Sequence, residues 1–148
     1  MTAITAFPAI PSGLFGGTYI SFTAKAEVAV KTGQLLIQDL HAANTVSPAP
    51  ASGLFNKKWP VGVAMGPAAA GELVTVITTG VVYMANDTST SAIAAGVLVK
   101  AGTFAGAIAA ATIAAATGYA ATDTIIGVAL DSIAVSSYGR VLLQLSNS

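Results

Sequence analysis

The chain has 148 residues, six basic and six acidic side chains, one histidine (His41) and no cysteine. That length suits about one domain, the even charge balance excludes nucleic-acid binding by bulk electrostatics, and the missing cysteines exclude disulfide staples, thiolate catalysis and Cys-ligated metals. Only 8% of the residues are charged, against about 25% in an ordinary domain, so much of the surface is expected to meet other protein.

Residues 1–17 read as an extended arm and residues 18–148 as a β domain. Pro8 and Pro11 break any helix in the arm, and the Gly16-Gly17 pair ends it. Yet Ile4, Phe7, Ile10, Leu14 and Phe15 are apolar, unlike a solvated tail. Such a segment needs a surface to lie against. A partner's sheet edge is one such surface, with pairing expected before or after Pro8–Pro11; the chain's own domain is the other.

Short strands follow. TYISFTA (18–24) alternates and is rich in β-formers, and GQLLIQDL (33–40) is an apolar run opened by glycine. Residues 41–58 read as a loop broken by Pro48, Pro50 and Gly53. PVGVAM (60–65), ELVTVIT (72–78) and GVVYMA (80–85) read as strands, the last two separated by a turn at Gly80. GVLVKAG (96–102), TIIGVAL (124–130) and GRVLLQL (139–145) complete the set. Strands at this spacing, with Gly, Pro and Asn between them, predict an all-β sandwich or barrel. Residues 105–117, AGAIAAATIAAAT, have the alanine content of a short helix or an irregular connector.

An internal repeat runs through these strands. Thr32–Leu36 resembles Ala95–Val99, 63 residues later, and Pro60–Met65 resembles Ile125–Leu130, 65 residues later. Two such units are expected to pack into one pseudo-symmetric barrel or sandwich, with Gly62 and Gly127 equivalent and Val63 and Val128 facing its interior.

Candidate chemistry is sparse. His41 lies beside Asp39, and Ser47 and Ser52 share its loop, but no nucleophile elbow or oxyanion-forming glycine run accompanies them. The six carboxylates stand singly, without paired-acid or Ca²⁺-loop spacing. No catalytic, cofactor or metal site is therefore expected, and a small hydrolase is set aside. Twenty-two uncharged residues separate Lys100 from Asp123, but they are mostly Ala, Thr and Gly, so no membrane span is expected. Residues 1–24 lack Lys and Arg, and their prolines and glycines interrupt any signal-peptide core, so synthesis in the cytoplasm is expected. Trp59 is read either as a core or loop anchor or, with Phe55, Lys57 and Lys58, as part of an interface loop.

Gly62-Val63-Ala64, the run Ala68-Ala69-Ala70-Gly71-Glu72-Leu73-Val74-Thr75-Val76, Gly80-Val81-Val82 and Ile126-Gly127-Val128-Ala129-Leu130 together resemble the capsid cement proteins of tailed phages, over roughly residues 25–145. The resemblance implies a small β-barrel or β-tulip-like domain, trimeric, on the outer capsid surface at three-fold or quasi-three-fold positions. It implies the major capsid protein as partner and a virion location after synthesis in the host cytoplasm. It also implies that the arm, with Ile4, Phe7, Pro8, Ile10, Pro11, Leu14 and Phe15, binds the capsid. A fibre or adhesion β module is the alternative from another class; it would bring longer repeats and a carbohydrate-binding aromatic cluster.

Overall fold

The computed structural model describes residue 10 and residues 19–38, 43–49, 60–86, 92–102, 106–111, 113–114, 118–119 and 125–144. All eleven elements among them are strands: β1 (Ile20–Ala26), β2 (Leu35–Gln38), β3 (Thr45–Pro48), β4 (Pro60–Ala64), β5 (Leu73–Ala85), β6 (Leu98–Ala101), β7 (Ile108–Ala110), β8 (Ile113–Ala114), β9 (Gly118–Tyr119), β10 (Ile125–Ala129) and β11 (Tyr138–Gln144). Nine form one sheet in the order β1-β3-β2-β4-β5-β11-β10-β6-β7, and β1 also pairs with β5. That extra pairing closes β1, β3, β2, β4 and the first half of β5 into a five-stranded barrel. Closure leaves this barrel no open edge to recruit another chain by strand addition.

Apart from the small β8–β9 pair, the second half of the chain repeats the strands of the first. Leu35 and Leu36 pair with Val63 and Gly62, as Leu98 and Val99 pair with Val128 and Gly127. Val63 and Ala64 pair with Ile77 and Val76, as Val128 and Ala129 pair with Leu142 and Val141. The bridge Val30–Ala68 matches Ile93–Ile133, and the parallel contact Ala26–Val46 matches Asn86–Ile108. Gly33 donates to the Ala64 carbonyl as Gly96 does to that of Ala129, both at 2.8 Å. The long strand β5 belongs to both units. Its start pairs with β1 as the closing strand of unit 1, and its end pairs with β11 as the opening strand of unit 2.

Each unit carries a bulge at its repeated glycine. Ile37 pairs with Pro60 but Leu36 with Gly62, which leaves Val61 unpaired; Lys100 and Val99 do the same around Ile126. A Cβ on Gly62 would collide with the Ile77 carbonyl, and one on Gly127 with the Leu142 carbonyl. Only glycine lets these backbones approach so closely.

The bulge also decides which side chains fill the barrel. Because it shifts the alternation by one residue, Ala64 rather than Val63 joins the interior of unit 1, with Ala24, Leu36, Val46, Val74 and Val76. Val63 lies on the outer side with Leu35, Ile37 and Ile77, in the larger cluster that continues into Met84, Ile93, Val99, Ile108 and Val141 of unit 2. The expectation that Val63 and Val128 face one shared barrel interior is thus corrected, although the two positions are equivalent.

Other expectations change for identifiable reasons. Residues 108–110 form β7, not a helix: pairing with β6 satisfies their backbone, and fully buried Ile108 occupies the place of Val46, so tertiary pairing overrides alanine's helix propensity. The loop 41–58 contains β3, whose pairing with both β2 and β1 closes the barrel. The expected turn at Gly80 is absent. The chain passes straight through it at φ 137°, which glycine tolerates, and the two expected strands are one. The barrel that closes is made of unit 1, and the strands of unit 2 continue its sheet, their buried side chains in one cluster with Leu35, Ile37, Val63 and Ile77.

Candidate docking surfaces

Polar groups inside the units serve structure. Asn86 is fully buried where unit 1 has Ala26, and its side-chain amide donates to the Ile133 carbonyl at 3.1 Å. Among the described residues, every buried side-chain nitrogen or oxygen has a hydrogen-bond partner. No group of three His, Asp or Glu among them could hold a metal ion, and no helix among them is long and apolar enough to cross a membrane.

One charged pair is built with care on the surface. The Asp131 carboxylate accepts from Arg140 Nη2 at 2.7 Å, and from Nε and the backbone N–H of the same residue at 3.0 Å each. These hydrogen bonds hold the Asp131 carboxyl down to about 2, and the carboxylate raises the Arg140 guanidinium in turn. A depressed carboxyl stabilises the fold above its unfolded value, and that contribution fades as pH falls from 3.8 through about 2. The pair is solvent-exposed, so its effect is small. Melting curves at pH 5 and pH 2 should therefore show the wild type losing slightly more than Asp131→Asn, by no more than about 3 °C. Identical losses would mean that the pair contributes nothing.

The largest difference between the units lies on their outer strand faces. In unit 1, Leu35, Ile37, Val63 and Ile77 are completely or almost completely buried. Their counterparts Leu98, Lys100, Val128 and Leu142 in unit 2 are only half-buried. What covers unit 1 is unit 2. Leu35 donates to the Gly106 carbonyl at 2.9 Å, and Gly106 donates to Ala49 at 3.0 Å. A Cβ on Gly33 would stand 2.6 Å from the Tyr83 carbonyl and 2.5 Å from Ile10 Cδ1, whereas one on Gly96 would meet nothing within 4 Å. Elsewhere Leu73 is 70% exposed and Ile20 63% exposed, both large apolar side chains in solvent.

Of the arm residues expected at a partner, Ile10 is described, and it is buried within the chain against Ala85 and Ala107. Ile4, Phe7, Pro8, Pro11, Leu14 and Phe15 lie outside the described residues, as do His41, Asp39 and the loop residues Phe55, Lys57, Lys58 and Trp59. The half-open face of unit 2 was missed by sequence reasoning. Its signal was present in the repeat, where Ile37 of unit 1 is answered by Lys100 of unit 2.

The fold is thus a closed β-barrel continued by a second copy of its unit, with its buried polar groups held in structural hydrogen bonds. The chain belongs to the phage cement protein family, whose model matches residues 16–145. In fold it is similar to the N base of head fiber gp8.5 of bacteriophage phi29, a crystal structure, with a TM-score of 0.55 and 18% identity over 86% of this chain and 95% of that one. No curated protein sequence matches. The chain is therefore a structural protein associated with the phage capsid.

Proposed function

We propose that this protein clamps the outer face of the phage head by binding the major capsid protein lattice, as a homotrimer at three-fold or quasi-three-fold positions. The observation that carries the reading is the family match over residues 16–145. The composition supports it: with 8% charged residues, the chain suits burial of surface on sister subunits and on the shell. An interface of ordinary size buries about 800 Å² per partner, and a trimer that engages several capsomers adds avidity to modest single contacts. Ile4, Phe7, Leu14 and Phe15 of the arm, and the loop around Trp59, supply the capsid contacts in this reading, while Ile10 anchors the arm to the chain's own body.

The fold favours a second reading, since the protein of similar fold is a head fibre base. Co-sedimentation with purified empty capsids, followed by heating of the decorated shells, separates the two. A clamp pellets with the capsid and raises the temperature at which the shell breaks. A fibre base pellets but leaves that temperature unchanged, and a chain that stays in the supernatant overturns both.

A further inference from the structure

The two units differ at the seam where the opening strand of each meets the strand that closes it. In unit 1 the seam is sewn by backbone. β1 lies beside β3 in the register Lys25–Thr45 and Ala26–Val46, Lys25 donates to the Asn44 carbonyl at 2.9 Å, and Glu27 donates to that of Val46 at 2.8 Å. In unit 2 the same place is held, among the described residues, by one bridge, Asn86–Ile108, and β7 stands at the end of the sheet. The Gly106 carbonyl, which corresponds to that of Asn44, is turned to the Leu35 N–H of unit 1 at 2.9 Å.

Ile10 sits on that seam. It is buried against Ala85 and Ala107, the residues immediately before the two bridge partners, with Tyr83 and Tyr138 packed beside them. The two tyrosine rings meet edge to face with centroids 5.8 Å apart. Ile10 Cδ1 comes so near Gly33 that a Cβ on that glycine would collide with it. The differences between the repeats fall where Ile10 is received. Unit 1 has Lys25, Thr45, Thr23 and Leu73 where unit 2 has Ala85, Ala107, Tyr83 and Tyr138. Two alanines leave room for a branched side chain and two tyrosines wall it in; Thr23, Lys25 and Leu73 stand exposed.

We infer that the arm is a latch on unit 2: Ile10, seated across the seam, holds β7 against the end of β5, and when it withdraws the seam opens while the barrel of unit 1 stays closed. A side chain does in unit 2 what backbone pairing does in unit 1. Segments that open below the free energy of global unfolding are those with few backbone bonds across their boundary, and this seam has that character. Withdrawal uncovers Ala85 and Ala107 and frees the β7 edge at Ile108, an edge on which another strand can add. Ile10 also lies between Phe7 and Leu14, so a pull on residues 1–9 meets the latch before it meets β1. That last step rests on the proposed capsid contact; the latch rests on Ile10 alone.

Native-state hydrogen exchange on the full chain, free of capsids and in urea below the unfolding midpoint, tests this. In the wild type the amides of residues 106–110 should exchange faster than those of Ala26, Val46 and Val76 in the barrel of unit 1. Their rates should also rise only weakly with urea, the mark of a small opening. Ile10→Ala should speed residues 106–110 by about tenfold or more, and Ile10→Val, which keeps most of the side chain, by about threefold. Where Ile10→Ala does not fold, the Ile10→Val shift decides. If residues 106–110 open with the same free energy and urea slope as the barrel of unit 1, the seam opens only when the whole chain unfolds, and the latch is overturned. If they open separately at a rate that neither variant changes, Ile10 does not hold the seam, and the latch is overturned equally. Either failure leaves the proposed capsid contact standing, since no capsid enters the experiment.

Discussion

Val63→Asp should destabilise the fold severely, whereas Val128→Asp at the equivalent position should cost little. Both residues follow the bulge glycine of their unit and pair with the same partner in β5 or β11, Ile77 or Leu142. They differ only in what covers them. Val63 is fully buried in the cluster shared with Leu35, Ile37 and Ile77. A carboxylate there has no partner and no water, a cost of about 4 kcal/mol or more. A domain of this size has only about 5–15 kcal/mol of stability in total, so a large share of its margin disappears. Val128 is half-buried, and its carboxylate reaches solvent; roughly 1 kcal/mol is the expected loss. Urea unfolding of the two purified variants reads this directly, through midpoints at constant slope. Equal losses would show that the outer faces of the two units are equally covered.

Much of the architecture was legible because the duplication is written in residues with strong local meaning. Gly33 and Gly96 open the same strand, and Gly62 and Gly127 mark the same bulge. A Cβ at Gly62 or Gly127 would strike the carbonyl of Ile77 or Leu142, so glycine is required at both. Strands β3 and β7 were not legible. Thr45–Pro48 and Ile108–Ala110 are short, rich in Ala, Pro and Ser, and exist because partners distant in sequence satisfy their backbones. Local propensity carries no trace of such pairing, and at 105–117 it points the wrong way. The direction of Val63 was hidden for a related reason. A bulge shifts alternation by one residue, and Gly-Val-Ala reads equally well with either apolar residue facing in. The half-open face of unit 2 was hidden more deeply. Leu35 and Leu98 are the same residue in the same register, and only the fold shows that one is sealed and the other half-open.

Deleting residues 2–15 should lower thermal stability without unfolding the domain, and should sharply reduce retention on capsids. The two effects come from different residues. Ile10 is 7% exposed and packs against Ala85, Ala107 and the Gly33 turn, at the contact between the units. Its loss removes roughly 1.5–3 kcal/mol of burial, equivalent to about 5–10 °C in melting temperature for a chain of this length. The rest of the closed barrel of unit 1 owes nothing to Ile10, so cooperative unfolding should persist. Ile4, Phe7, Leu14 and Phe15 carry the expected capsid contact. Single variants separate the roles. Ile10→Ala should reproduce most of the thermal loss and still pellet with capsids, while Phe7→Ala and Phe15→Ala should melt like the wild type and pellet poorly. If the truncated chain pellets as well as the full one, the arm serves only to pin the two units together through Ile10. Attachment must then come from the loop around Trp59 or from the exposed ends of the barrels, where Leu73 and Ile20 stand in solvent.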